Sequence, residues 1–304
     1  PEFSVPMLDA IQKSQHELLG VVTALDKPAG RGRKLKKSAI KIYAENKGLT
    51  ILQPKNLKSE EFYSQIKNLN PNVIFVVAFR MLPEQVWKFP KYGTVNLHAS
   101  LLPDYRGAAP INWAIINGEK QTGLTTFFID DKIDTGHIID YTSFKISKTD
   151  NVEDVYDKMI PQGVELSLLT LNKIAQNDIK PIPQKHAETS KKAPKLNKDN
   201  TRIDWDQTGQ RIYNLIRGLS PYPAAWTVLV NNDEEIYCKI LKANFNPKSH
   251  NFKNGKIIID NKKMLIGVTD GVLEIEDIKL SGKRLMKAAD LLNGFELDKK
   301  AKML

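Results

Sequence analysis

Apolar positions follow one pattern in the first 180 residues and another after residue 203. In the first part, short β-branched runs alternate with segments of helical period. Helical spacing covers Val5 to Glu17, Ser38 to Asn46 and Ser59 to Asn68, with strands expected at Leu18 to Ala24 and Leu49 to Leu52. Val73 to Ala78 reads V-I-F-V-V-A, apolar on both faces, which predicts a central parallel strand. Further strands are expected at Thr94–Leu97, Gly123–Ile129 and Ile138–Ile146, with a helix over Ala108–Ile116 opened by Pro110. A long helix is predicted from Asn151 to Asn172, broken or bent near Pro161-Gln162-Gly163. This alternation implies an α/β, Rossmann-like, mostly parallel sheet over residues 1–180.

Residues 181–202 contain three prolines and no periodicity, so they read as a linker. One helix then covers Thr208–Leu219. Short strands follow at Trp226–Val230, Glu235–Phe245, Lys256–Asp260, Met264–Val268 and Val272–Lys279, and a short helix at Lys287–Leu292. That spacing predicts a small OB-like β-barrel over residues 203–304. At the other end, a helix precedes any strand, whereas a doubly wound sheet normally opens with a strand. A further short apolar strand is therefore expected ahead of Pro1, paired beside Leu18–Ala24.

Composition narrows the partners. No apolar run approaches the roughly 18 residues of a membrane span. The single cysteine, Cys238, rules out a disulfide framework, fits a reducing, cytoplasmic setting and leaves no cysteine cluster for zinc. Formal charge is +10, and from residue 186 onward 21 Lys and Arg face 15 Asp and Glu. This excess favours an anionic partner such as nucleic acid. Asp26 to Lys37 adds six basic residues among Pro28, Gly30 and Gly32, which predicts an irregular loop. Its Arg31, Arg33 and Lys34 suit phosphate contacts, although a solvated surface loop is the plain alternative. G-R-G-R lacks the G-K-[ST] ending of a nucleotide-triphosphate loop.

The candidate chemistry lies between Thr94 and Gly136. Asn96 and His98 are two apart near a strand end and point the same way. Asp134-Thr135-Gly136 follows the next strand, so one amide, one imidazole and one carboxylate stand where open α/β sheets place their sites. No nucleophile with an adjacent base is present, and no G-x-S-x-G elbow surrounds Ser100. Such a set suits holding an oxyanion and moving a proton, as in acyl transfer to nitrogen, with Asp134 orienting the imidazole. Each residue also has a structural alternative: a loop cap for Asn96, a satisfied buried ring for His98, a turn cap for Asp134. One His and one Asp are too few for a metal, and His137 is expected to face solvent.

N-L-H-A-S-L-L-P-D-Y-R-G-A-A-P-I-N-W, with the downstream I-D-T-G, resembles the folate-dependent formyltransferases. The resemblance implies that Asn96, His98 and Asp134 are catalytic, that 10-formyltetrahydrofolate is the co-substrate, and that Ser100, Leu101, Leu102 and Pro103 lie at the folate site. P-E-F-S-V-P resembles the family's segment just after its first strand. D-K-P-A-G-R-G-R-K-L resembles a loop inserted by the members that act on initiator methionyl-tRNA, with Arg31 aligned to their loop arginine. R-G-L-S-P-Y-P-A-A-W resembles the opening of their tRNA-binding domain. A-F-R-M-L-P is one residue shorter than the family's A-Y-G-x-x-L-P, which puts Arg80 and Met81 at the pterin pocket's edge. The implied reaction is formyl transfer to the α-amine of that tRNA's methionine by a monomer. Rival readings are a folate formyltransferase for an amino-sugar nucleotide or purine precursor, a formyltetrahydrofolate hydrolase, and an RNA-binding protein without catalysis.

Overall fold

Serine caps begin two of the early helices. In the computed structural model, which describes residues 2–29, 34–184 and 190–304, Ser38 Oγ accepts from the Lys41 N–H and Ser59 Oγ from the Phe62 N–H. These caps open α2 (Ala39–Asn46) and α3 (Glu60–Leu69), which follow α1 (Ser4–Gln12) and the short strand β1 (Val21–Val22). Two further strands, β2 (Lys27–Ala29) and β3 (Lys34–Lys36), lie between β1 and α2. They form an antiparallel hairpin with Pro28 opposite Leu35, where irregular chain was expected. A two-stranded ribbon has free outer edges, so proline's missing donor costs it nothing there.

The sheet that matters runs through β5 (Ile74–Val77) and β6 (Thr94–His98), preceded by β4 (Ile51–Leu52) and separated by the short α4 (Glu84–Trp87). β1 pairs with β4 and β5 with β6, both parallel as the apolar runs predicted. After β7 (Arg106–Gly107) and α5 (Pro110–Ile116) come β8 (Gln121–Phe128) and β9 (Ile138–Lys145). The strand order is β5-β6-β8-β9, with β8 antiparallel to β6. β5 therefore stands at the end of this sheet and not at its centre as its apolar run predicted, and of its residues only Val76 is buried. Val95 on β6 is fully buried and shares a core with Ile139 and Ile174. No described strand joins β1 to β5. Both line an apolar cavity of about 410 Å³, with Met7, Phe62 and Leu171 among its other walls.

Helix α6 (Val152–Ala175) is capped by Asn151, whose Oδ1 accepts from the Glu153 and Asp154 N–H groups. The helix is not broken at Pro161-Gln162-Gly163 and runs through all three residues. Buried Val155, Met159, Leu166, Leu171 and Ile174 hold both halves to their surroundings, which offsets the one lost helix hydrogen bond.

The chain forms two compact units. One comprises Pro1–Arg106, Gly123–Ser143 and Lys158–Lys191, and the other Gly107–Thr122, Phe144–Asp157 and Lys192–Leu304. The second unit therefore includes α5 as well as the C-terminal barrel. Its elements are β10 (Lys192–Ala193), α7 (Gly209–Leu219), β11 (Ala225–Asn231), β12 (Glu234–Pro247), β13 (Ile257–Asp260), β14 (Lys263–Val268), β15 (Gly271–Leu280), β16 (Met286–Lys287), α8 (Ala288–Gly294) and β17 (Lys302–Met303). Strands run in the order β13-β14-β15-β12-β11-β17, and a bridge between Lys256 and Lys302 brings the two ends of that path together. Alternating apolar residues fill the interior, among them Leu229, Cys238, Ile240, Ile266 and Leu273, all fully buried.

Candidate active site

The parallel register sets Asn96 beside Val76 and Leu97 beside Val77, and on the other side His98 pairs with Thr125. Asn96 is half-buried, and its side-chain amide makes no hydrogen bond to a described residue. His98 is 6% exposed. Its Nε2 lies 2.9 Å from the carbonyl oxygen of Tyr105. A carbonyl only accepts, so Nε2 carries the hydrogen and Nδ1 is the open nitrogen. Asp134 Oδ2 stands 3.7 Å from that Nδ1, too far for a hydrogen bond but close enough for a third group to meet both. The ring's orientation thus comes from Tyr105, where the sequence pointed to Asp134. Phe127 packs edge-on to the imidazole, centroids 6.5 Å apart.

Asp134 reaches this position through a turn folded on Asp130. Asp130 Oδ1 accepts from the Lys132 N–H at 3.0 Å and the Thr135 hydroxyl at 2.7 Å. Asp134 itself has φ +56°, a left-handed conformation that Asp tolerates better than most residues. Two residues on, a Cβ at Gly136 would stand 1.7 Å from the Phe128 carbonyl oxygen. The D-T-G motif is therefore a conformational requirement as well as a chemical one.

The loop Ser100–Pro103 is pinned from β8. Thr125 Oγ1 donates to the Ser100 carbonyl at 2.7 Å and accepts from the Leu102 N–H at 3.2 Å. Ser100 is fully buried and its hydroxyl donates to the Asp104 carbonyl, so this side chain holds the turn. Leu102 is buried, while Leu101 and Pro103 are half-buried. Residues 78–81 leave β5 just beyond the Val77–Leu97 pair, toward the end of β6 that carries His98. There Arg80 lies over the Phe79 ring at 5.5 Å, and Met81 is 70% exposed. Arg31 and Arg33 lie outside the described residues, as does the side chain of Lys34.

In the second unit, Trp226 carries the Lys198 ammonium at 5.3 Å and the Arg202 guanidinium at 5.4 Å over its ring, with Tyr237 stacked at 5.2 Å. Trp226 is only 9% exposed, so the groups open to an anionic partner here are the two exposed cations. Arg217, which opens R-G-L-S-P-Y-P, is by contrast buried. It donates to the Asp150 carbonyl at 2.9 Å and to Asn214 Oδ1 at 3.0 Å, and burial pulls its pKa down. Gly218 lets α7 approach α5, since a Cβ there would stand 2.6 Å from Ile116. That motif is architecture.

Residues 1–171 match the formyl transferase family, and residues 195–296 match the formyl transferase C-terminal domain. The chain belongs to the formyltransferase family. This formyltransferase is 49% identical over 303 residues to the methionyl-tRNA formyltransferase of Flavobacterium johnsoniae, covering 100% of the chain and 96% of the relative. The Bacteroides fragilis methionyl-tRNA formyltransferase is 46% identical over 308 residues, covering 100% and 95%. Among solved structures, the sugar 3N-formyl transferase WlaRD superposes with a TM-score of 0.66 at 22% identity, covering 93% of this chain and 95% of its own. HypX from Aquifex aeolicus gives 0.64 at 20% identity, covering 98% of this chain and 47% of its own. These two likenesses establish the fold.

Sequence reasoning missed Tyr105, whose contribution is a main-chain carbonyl, and Thr125, which looks like any strand threonine. It also missed Gln184, 8% exposed within the stretch read as linker.

Proposed function

We propose that this formyltransferase moves the formyl group of 10-formyltetrahydrofolate onto the α-amine of initiator methionyl-tRNA. The folate supplies the formyl carbon. Asp134 accepts the proton that the amine loses as its nitrogen bonds to that carbon. The carbon's bond to the carrier nitrogen then breaks, and that nitrogen leaves with the bonding pair and takes the proton back from Asp134. Asn96, with an uncommitted amide, donates to the formyl oxygen as charge develops on it. His98 donates from Nδ1 when protonated, because Nε2 is held by Tyr105. The amine has to arrive neutral, and α-amines titrate near pH 8, roughly. The observation that carries the reading is the end-to-end likeness, near half identity, to methionyl-tRNA formyltransferases. The pairing of an open imidazole nitrogen with a carboxylate beside a free amide supports it.

Exposed Lys198 and Arg202, packed over Trp226, form one proposed tRNA contact; Arg31, Arg33 and Lys34 are proposed as another from their sequence alone. Arg202→Ala should weaken tRNA binding and reduce the slope of log affinity against log salt by about one. The deciding experiment offers 10-formyltetrahydrofolate with charged initiator and charged elongator methionyl-tRNA in parallel. Formyl transfer to the initiator alone is expected. Transfer to an amino-sugar nucleotide in place of either tRNA, or formate release without an acceptor, would overturn the reading.

A further inference from the structure

We propose that Gln184 and Arg106 are positioning residues that set the spacing of His98 and Asp134; this rests on the formyl-transfer reading above. Gln184 Nε2 donates to the carbonyl oxygen of Asp134 at 3.1 Å and to that of Gly136 at 2.8 Å. Both amide hydrogens are thus used on the turn that carries the catalytic carboxylate. Gln184 Oε1 accepts from Arg106 Nε at 3.1 Å and Nη2 at 2.5 Å. The amide's orientation is fixed by its partners, because carbonyls only accept and a guanidinium only donates.

Arg106 directly follows Tyr105, whose carbonyl holds His98. One dipeptide therefore grips the imidazole through its main chain and the carboxylate's turn through its side chain. The path His98–Tyr105–Arg106–Gln184–Asp134 closes on the 3.7 Å gap between Nδ1 and Oδ2. The far end of the path is anchored too: two residues before Gln184, Ile182 exchanges main-chain hydrogen bonds with Ile138, each 2.8 Å. Asp134 is held at φ +56°, a conformation that persists only when its surroundings impose it. Gln184 supplies that constraint from outside the turn.

The test uses the full chain with Gln184→Glu, which keeps the shape and the acceptor for Arg106. It removes both donors and sets a carboxylate oxygen against two carbonyls. With misplaced reacting groups, kcat should fall about 10- to 100-fold. KM for 10-formyltetrahydrofolate should stay within about twofold, the signature of a loss confined to the transition state. The pH profile of kcat and the ¹⁵N resonances of the His98 ring should both move. Gln184→Asn, with its amide one methylene short, and Arg106→Lys should shift the same readouts less, and they decide the matter if Gln184→Glu does not fold. A folded Gln184→Glu enzyme with native kcat, pH profile and ring resonances overturns the proposal, as does a lowered melting temperature with those three unchanged. Should the native enzyme fail to formylate methionyl-tRNA, the functional reading falls, and the His98 resonances still report on positioning.

Discussion

His98 Nε2 donates to the carbonyl oxygen of Tyr105 across 2.9 Å, and this bond decides which ring nitrogen meets Asp134. In the neutral ring the nitrogen facing Asp134 is an acceptor, as is the ionised carboxylate. Across 3.7 Å they do not bond to each other, so a donor group placed between them would find an acceptor on either side, which is the arrangement the proposed proton transfer to Asp134 needs.

Asn96 is the direct test of the oxyanion role. Asn96→Ala should lower kcat by about 100- to 1,000-fold, the usual cost of one such donor. Single-turnover formyl transfer by folded enzyme measures it. Near-native turnover would remove Asn96 from the mechanism.

Thr125→Val probes the folate loop from beneath. The substitution keeps the side chain's volume and deletes the hydroxyl that joins the Ser100 carbonyl to the Leu102 N–H. Leaving that N–H unpaired in a buried position should cost about 1–3 kcal/mol. Urea unfolding should show a lower midpoint, and KM for the folate should rise as the loop loosens. An unchanged midpoint would mean that the loop finds another partner.

Gly136→Ala tests whether D-T-G is a shape as much as a chemistry. The new methyl would meet the Phe128 carbonyl at 1.7 Å, so the turn has to move. Overpacking of this kind costs about 1–3 kcal/mol, sometimes more. Asp134 should be displaced with the turn, and activity should drop further than stability. Calorimetry and turnover on the same preparation compare the two, and full activity in this variant would contradict the geometry.

Much of this was legible before any coordinates. The all-apolar run at Ile74–Val77 announced a parallel strand, though not its place at the end of its sheet, and Ser38 and Ser59 marked helix starts through their side chains. Asn96 and His98 were found because a two-residue period puts both on one face. Tyr105 stayed hidden because its contribution is a peptide carbonyl, which every residue carries. Gln184 stayed hidden because proline-rich stretches around it have no period to read, and its value comes from partners nearly fifty and eighty residues away. Pro28 misled in the opposite direction: in a two-stranded ribbon it is no breaker. Arg217 carried a recognisable motif, but burial gives it a structural task.

Cys238 gives a pH prediction. It is fully enclosed in the barrel, and burial pushes its thiol up to about 12. An unfolded cysteine titrates near 8.5, roughly. Because the thiolate is the reactive form, native protein at pH 8 should resist thiol reagents that label it at once in denaturant. Between these two values the unfolded chain gives up a proton that the folded chain keeps. This contribution to stability is therefore complete below about 8.5 and is lost as pH rises toward 12. Comparing the alkaline slope of unfolding stability with that of Cys238→Ala isolates it, and identical slopes would refute it.

The gap between His98 and Asp134 also carries an instruction for inhibitor design. Two acceptors 3.7 Å apart reward a compound that places a single N–H or ammonium hydrogen between them and penalise one that brings an ether or carbonyl lone pair. A folate mimic extended by an amine should therefore outbind its ether-linked isostere.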